Sequence, residues 1–118
     1  MNEISKALAA FYSGFTIPAY TEDSVPDDVE LPYITYTVPQ SEVFSGATHQ
    51  VRVWYEGTGY AAVSAKADEI ISAIGQGVKL KAGSGFVCIY PGTPLAQMQP
   101  ADDTTRIVYI NLELRSYV

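Results

Sequence analysis

The chain has 118 residues, of which 47% are hydrophobic and 17% charged, and its 13 acidic and 7 basic residues give a net charge of −6. This length and apolar content predict a single domain over residues 1–118 and exclude wholesale disorder. No lysine or arginine occurs between Lys6 and Arg52, and the lack of a basic cluster argues against tight nucleic-acid binding.

The N-terminal segment has the periodicity of an amphipathic helix. Its apolar stripe recurs at spacings of four, three and four: Ile4, Leu8, Phe11 and Phe15. We predict a helix that begins near Asn2, a favourable N-cap, and ends near Gly14. The basic start and long apolar run of a signal peptide are missing from this segment, so we expect a soluble intracellular protein.

An irregular acidic loop is predicted over residues 16–30. Prolines interrupt this segment, and its acids fall within nine positions: Glu22, Asp23, Asp27, Asp28 and Glu30. A connection of this length is unusual in a compact domain. The simplest interpretation is a solvated loop that keeps the chain soluble, and the functional alternative is a surface that repels DNA.

Two strands are predicted in the middle of the chain. LPYITYTV, residues 31–38, is rich in β-branched and aromatic side chains, and HQVRVWY, residues 49–55, alternates with a period of two. The second strand has two distinct faces, with Val51, Val53 and Tyr55 on one and Arg52 and Trp54 on the other. The connection, residues 39–48, is longer than a tight hairpin requires, so we predict an extended β-hairpin arm.

One helix and two strands are predicted in the C-terminal half of the chain. The helix follows Thr58, ends at Gly75 and has apolar residues at helical spacing: Val63, Ala67, Ile70, Ile71 and Ile74. GFVCIYP, residues 85–91, is typical of a short buried strand, and RIVYINLELRSY, residues 106–117, alternates as a long final strand. Residues 91–105 between them are predicted to form a loop.

The predicted order of elements is therefore helix, strand, strand, helix, strand, strand. Two hairpins would form one sheet, and the two helices would cover its apolar face. This order predicts an α+β fold, a two-layer sandwich in which a mainly antiparallel or mixed sheet is packed by two helices. The uncharged residues 82–101 contain prolines and glycines, which exclude a membrane-spanning helix there.

Few side chains could support catalysis. His49 is the only histidine, and we interpret its place at a strand start as chance; Cys88 lies in an apolar run and is predicted to be a buried structural thiol. Three carboxylate pairs could serve as acid and base: Asp27/Asp28, Asp68/Glu69 and Asp102/Asp103. Such adjacent acids are usually solvated, and no glycine-rich segment completes a phosphate-binding motif. We predict no catalytic residue, no metal site and no cofactor.

The middle of the chain resembles a family of virion proteins. LPYITYTV is followed by HQVRVWYEGTGYAAVSAKADEIISAIG and then by a β-rich C-terminal half. The Leu-Pro-Tyr start, the V-x-V-W strand and the helix with paired isoleucines are similar to the tail terminator or tail completion proteins of long-tailed bacteriophages, also described as minor capsid or head–tail joining proteins. The order of elements matches over residues 2–118, and the sequence likeness lies in residues 31–74.

The resemblance implies a structural protein of the virion tail, assembled in the bacterial cytoplasm. It implies a ring, typically a hexamer, that caps the tail tube protein and presents a docking face to head completion or neck proteins. DNA would pass through the channel without specific binding, and no membrane would be involved. Our candidates for subunit or tail contacts are Val43, Phe44, Leu95 and Met98. The acids of residues 22–30 are predicted to face the lumen or the rim of the ring.

Two alternatives stay open. The chain could be another neck or tail structural protein of a phage. It could also be a small intracellular ligand-binding or enzymatic α+β domain that uses the sheet face around His49, Arg52, Trp54 and Tyr55. A deep pocket containing groups of perturbed pKa would support this last alternative.

Overall fold

The computed structural model describes residues 3–38 and 47–117. Half of the described residues are in strands and a quarter in helices. In chain order the elements are α1 (Glu3–Tyr12), a 3-10 turn (Ser13–Phe15), β1 (Ala19–Thr21), β2 (Tyr33–Tyr36), β3 (Ala47–Glu56), α2 (Ala61–Ile74), β4 (Val78–Ala82), β5 (Gly85–Asp102) and β6 (Thr105–Tyr117). None of the helices in these ranges is long and apolar enough to cross a membrane.

The six strands form one mixed sheet in the order β1-β2-β3-β6-β5-β4, which curls into a half-barrel. β1 runs parallel to β2, and all other neighbouring strands are antiparallel. β6 pairs with β3 from Thr105 to Leu114 on one side and with β5 on the other. This central strand therefore joins the N-terminal strands to the C-terminal ones.

The predicted two-layer sandwich and its order of elements are wrong, because the order is α-β-β-β-α-β-β-β in a mostly β fold. β1 lies inside the predicted irregular loop 16–30, and its three residues are too few to show a period-two pattern. β4, VKLKA, does alternate, but its five residues lie between Gly77 and Gly83, and the sequence analysis predicts no strand there. β1 and β4 are strands because they pair with β2 and β5, respectively.

The predicted loop over residues 91–105 is also wrong, because β5 continues to Asp102 and only two residues separate it from β6. The sequence pattern predicts a strand over residues 85–91 only. A proline is tolerated on an edge strand where its missing N–H faces away from the partner. A register shift between Pro91 and Ala96 absorbs the extra residues as a bulge.

The other predicted elements are confirmed to within a few residues as α1, β2, β3, α2 and β6. The predicted start of the first helix, Asn2, lies outside the described residues. Residues 39–46 of the predicted arm also lie outside them, and Ala47 and Thr48 already belong to β3. Cys88 is buried and unbridged, as predicted.

The core lies between the helices and one face of the sheet. On this face His49, Val51 and Val53 of β3 are fully buried. Both helices bury apolar stripes in the same cluster: Ile4, Ala7, Leu8 and Tyr12 of α1, and Val63, Ala67, Ile70 and Ile74 of α2. Because burial of a large aliphatic side chain contributes roughly 1.5–3 kcal/mol, this apolar layer is the main source of stability.

The opposite face of the sheet, which we call the helix-free face, carries the alternate residues of the same strands. Neither α1 nor α2 packs on it, since both helices contribute to the core cluster on the other side. Its polar and aromatic side chains are half-buried by their neighbours: Tyr20, Tyr33, Gln50, Arg52, Trp54, Tyr109, Asn111 and Glu113. Neither described helix covers this face, so within residues 3–38 and 47–117 it is available for contacts.

The bulge in β5 requires a glycine. A Cβ atom at Gly92 would lie 2.7 Å from the backbone oxygen of Asn111 and 3.0 Å from its carbonyl carbon. Both distances are shorter than nonbonded atoms tolerate, and the opposing atoms belong to the central strand β6. The side chain of Asn111 also holds the bulge, because its Nδ2 donates to the carbonyl oxygen of Pro94 at 2.8 Å.

We expect Gly92→Ala to lower the free energy of unfolding by about 1–3 kcal/mol, because β6 cannot move aside without disturbing its own pairing. The matched control is Gly59→Ala, where a Cβ atom meets nothing within 4 Å and the change should be below about 0.5 kcal/mol. Urea unfolding of both variants measures the difference. Equal losses would contradict the role assigned to Gly92.

Candidate functional site

A row of aromatic side chains crosses the helix-free face from β1 to β3. Tyr33 and Trp54 are direct partners in the β2–β3 register, and their rings stack with centroids 5.5 Å apart and planes inclined by 16°. Tyr20 meets Tyr33 edge to face at a centroid distance of 6.2 Å. Trp54 Nε1 donates to Thr35 Oγ1 at 3.1 Å, which fixes the indole. These contacts make the aromatic row a rigid, partly exposed apolar surface.

Arg52 lies beside the aromatic row and is held by three different groups. Its Nη1 is 3.1 Å from a carboxylate oxygen of Glu22, and its Nε and Nη2 donate to Gln50 Oε1 at 3.2 and 3.0 Å. The guanidinium carbon lies 5.0 Å from the centroid of the Tyr109 ring, a cation–π contact. The side chain is still 30% exposed, so the face presents an oriented positive charge next to its aromatic rings.

A chain of side-chain amides continues from Arg52 across the sheet. Gln50 Nε2 donates to Asn111 Oδ1 at 3.1 Å, and Asn111 Nδ2 donates to Gln97 Oε1 at 3.2 Å as well as to the Pro94 carbonyl. The chain connects β3, β6 and β5. It fixes the position of the bulge and lines the face with groups that both donate and accept hydrogen bonds.

The alternative binding site around His49, Arg52, Trp54 and Tyr55 is not a single site. Successive side chains of a strand point to opposite faces of the sheet. His49 and Tyr55 therefore lie on the side of the helices, with Val51 and Val53, while Arg52 and Trp54 lie on the helix-free face. The sheet separates the two pairs.

His49 has a structural role in the core. Its Nε2 is hydrogen-bonded to Tyr12 Oη at 2.8 Å, and its Nδ1 lies 3.4 Å from Thr37 Oγ1. The Tyr12 ring stacks on Tyr36 at a centroid distance of 4.8 Å. Burial lowers the pKa of His49 to about 4 and raises the pKa of Tyr12, so both are neutral at physiological pH. The pair joins α1 to β3 and offers no exposed base.

The three carboxylate pairs do not form an acid–base site. All six of their members are exposed: Asp27, Asp28, Asp68, Glu69, Asp102 and Asp103. Glu69 pairs with Lys66, and Asp102 accepts a hydrogen bond from the Thr104 N–H at 2.8 Å, which lowers the pKa of the Asp102 carboxyl. The described residues contain no group of three or more side chains that could hold a metal ion.

Two of the four apolar residues predicted for subunit contacts can be placed. Leu95 lies in the bulge and packs partly against the core. Met98 is 59% exposed, and its sulfur lies 3.7 Å from Ser64 Oγ of α2. Val43 and Phe44 lie outside the described residues. The contact role of all four stays a prediction.

The predicted acidic patch is exposed along its length, from Glu22 to Glu30. Glu22 joins the helix-free face through Arg52, whereas Asp23 accepts a hydrogen bond from the neighbouring Ser24 at 3.3 Å. Its position in a lumen or at a rim stays a prediction.

A groove of about 450 Å³ borders the bulge and is lined by Ala47, Thr48, Pro91, Gly92, Thr93, Asn111, Leu112 and Glu113. Among the described residues that line this groove, Glu113 is the only titratable one. A second depression of about 310 Å³ lies beside Cys88 and Tyr90. Lys79 also lines the second depression, which therefore brings together an amine, a thiol and a phenol.

Lys66 is an important residue that the sequence analysis missed. It is only 8% exposed, and its Nζ donates to the Phe15 carbonyl at 2.8 Å, to Thr16 Oγ1 at 3.1 Å and to Glu69 at 3.1 Å. Two of the three hydrogen bonds fasten α2 to the end of the 3-10 turn, and the third joins Lys66 to Glu69 of the same helix. The spacing of Lys66 in the sequence indicates its burial, because it lies three residues after Val63 and therefore on the apolar stripe of the helix.

We expect Lys66→Met to lower the free energy of unfolding by about 1–3 kcal/mol, because it keeps the apolar stem but leaves the acceptors around Nζ without their donor. Lys81→Met, at an exposed position of β4, is the matched control and should change stability by less than about 0.5 kcal/mol. Urea unfolding compares the two. A Lys66→Met variant as stable as the wild type would contradict this anchor.

Stability should fall as the pH drops from about 6.5 to about 4, because the unfolded chain protonates His49 at its ordinary pKa of 6.5 while the folded chain resists until about 4. The loss attributable to this group is on the order of 3 kcal/mol at and below the lower pH. Urea unfolding across this range should show a shallower pH dependence for His49→Gln, which leaves the exposed carboxylates unchanged. Identical slopes in the two proteins would contradict the buried neutral histidine.

Comparisons of the chain with protein-family models, with curated proteins and with solved structures find no match. The helix-free face and the sequence of residues 31–74 therefore carry the inference of function. The described residues offer an ordered contact surface, and they contain no group of three or more side chains that could hold a metal ion.

Proposed function

We propose that this chain is a structural subunit of a bacteriophage tail, a tail terminator that forms a ring, caps the tail tube and joins it to the head. The observation that carries the proposal is the helix-free face, where a rigid aromatic row and an oriented arginine lie on a sheet surface that neither helix covers. Tyrosine, tryptophan and arginine are the residues most enriched where proteins bind one another. Such a surface suits a protein partner better than a small substrate.

The segment that carries the resemblance builds this face. LPYITYTV contains β2, HQVRVWY lies in β3, and the chain then turns within four residues into α2. Trp54 of the V-x-V-W strand stands in the aromatic row, while α2 covers the opposite face. The short connection between β3 and α2 therefore places the helix on one face of the sheet and leaves the opposite face without a helix.

Shape and charge also support a ring subunit. The described part of the chain measures 43 × 29 × 21 Å, so it is thin in one direction. Six copies of a chain with a net charge of −6 would carry roughly −36, and acids that face a channel would keep DNA from adhering to its wall. The exposed acids of residues 22–30 are our candidates for that surface.

The proposal is tested by adding the purified chain to tubes that grow from the tail tube protein encoded in the same genome. We expect six-fold rings at tube ends in electron micrographs, together with arrest of tube growth. Tubes that elongate without rings at any protein ratio would contradict the proposal. Rings that bind without arresting growth would indicate another neck or tail component.

Arg52→Ala should weaken tube capping at least about tenfold, as expected for a residue at the centre of an interface. Its effect on the free energy of unfolding should stay within about 1 kcal/mol, because the Arg52–Glu22 pair is partly exposed. Lys6→Ala removes the same charge from α1, where the side chain is 78% exposed, and should leave capping unchanged. Equal effects of the two variants would show that net charge, and not the helix-free face, determines binding.

A further inference from the structure

Among the described residues, the outer edge of β5 has no partner strand over more than half of its length. β4 pairs with β5 only between Gly85 and Ile89. Beyond Ile89, within residues 3–38 and 47–117, β5 pairs on one side only, with β6. Residues 96–101 are all exposed. An exposed strand edge of this kind is a template for pairing with another chain.

The hydrogen bonds of the neighbouring strands show which backbone groups face this edge. The Gly57 N–H donates to the Thr104 carbonyl at 2.7 Å. Because the backbone groups of an antiparallel strand alternate in direction, the even-numbered residues of β6 turn toward β3. The odd-numbered residues, including Ile107 and Tyr109, turn toward β5.

The same alternation continues on β5. Gln97 and Gln99 are the register partners of Tyr109 and Ile107, so their backbone groups bond to β6. Ala96, Met98 and Pro100 therefore turn theirs to the open edge. The missing N–H of Pro100 falls on that outer side, which is where a proline is tolerated in a sheet.

A short part of this edge has none of the usual protection against pairing. Charged side chains, prolines and bulges normally block an edge strand, but residues 82–101 contain no charged side chain. The bulge and Pro94 block one end of the open edge, and Pro100 blocks the other. Residues 95–99, LAQMQ, are left unprotected, and five residues is the usual length of a strand.

The unprotected segment is symmetric in a way that favours a second copy of the same chain. Pro94 and Pro100 lie three residues to either side of Gln97. If two copies pair antiparallel about Gln97, the prolines fall opposite one another, and Ala96 of each copy faces Met98 of the other. Both of these residues turn N–H and C=O to the edge, so about four hydrogen bonds form.

Side chains and charge favour the same arrangement. Ala96 and Met98 lie on the side of the sheet that carries α2, so the small side chain of one copy would accommodate the exposed Met98 of the other. The acids of residues 22–30 follow β1, at the opposite edge of the sheet. Pairing through β5 therefore keeps the acidic patches of two chains, each with a net charge of −6, far apart.

We propose that two copies of this chain pair antiparallel through residues 95–99 at the outer edge of β5 and join their sheets into one. The contact is two-fold, whereas contacts around a closed ring are head to tail. It differs in symmetry from a ring interface, although it includes Leu95 and Met98 from the predicted subunit contacts, and it stands whether or not the chain caps tail tubes.

Two cysteine variants test the register of the dimer. In the paired form the Cα atoms of the two Gln97 residues are about 4.5 Å apart, within reach of a disulfide, whereas those of the two Gln99 residues are about 13 Å apart. Under mild oxidation Gln97→Cys should form a covalent dimer and Gln99→Cys, on the same face, should not. Equal cross-linking at both positions, or none at position 97, would overturn the proposal.

Sedimentation over a concentration series tests the edge itself. The wild type should show a dimer that increases with concentration, and Met98→Pro should weaken it at least about tenfold, because it removes an outward N–H from each copy. Met98→Leu keeps that N–H and should retain the dimer. A wild type that is monomeric throughout, or a Met98→Pro dimer as tight as that of Met98→Leu, would overturn the proposal. Thermal unfolding checks that Met98→Pro folds; if it does not, the two cysteine variants decide.

Discussion

Successive side chains of every strand lie on opposite faces of the sheet, and along β3 and β6 this alternation separates apolar from polar residues almost completely. One face must be covered, and both helices pack on it. The other face keeps its aromatic rings, amides and arginine at the surface. A register slip of one residue in β3 would exchange the two faces, so the pairing of β3 with β6 determines both stability and the surface left for contacts.

The sequence predicts those parts of the fold whose pattern is long. α1, α2, β3 and β6 each span ten or more residues with a clear period, and the opposite faces of Arg52 and Val53 follow from alternation alone. β1 and β4 span three and five residues, and only their neighbours make them strands. The length of β5 could not be predicted either. A proline is tolerated in a strand when the side without the N–H faces away from the neighbouring strand. That direction depends on the pairing register, which the local sequence does not give.

The same limit applies to the site. That Arg52 and Trp54 share a face is visible in the sequence, but their contacts with Glu22 and Tyr33 depend on how β1 and β2 are placed. The burial of His49 against Tyr12 joins residues 37 positions apart, and no local pattern relates them. A lysine on an apolar helical stripe is a local signal, yet two of the acceptors of Lys66 lie at an irregular turn whose position depends on the whole fold.

Trp54 is the only tryptophan of the chain, and it stands within the aromatic row of the helix-free face. Its indole is half-buried, stacked on one tyrosine and anchored through its nitrogen. Fluorescence excited at the red edge of protein absorption will consequently come from this one surface. Trp54 is therefore an intrinsic fluorescence probe of the aromatic row. A protein that binds there will change the emission of Trp54, so no added label is needed.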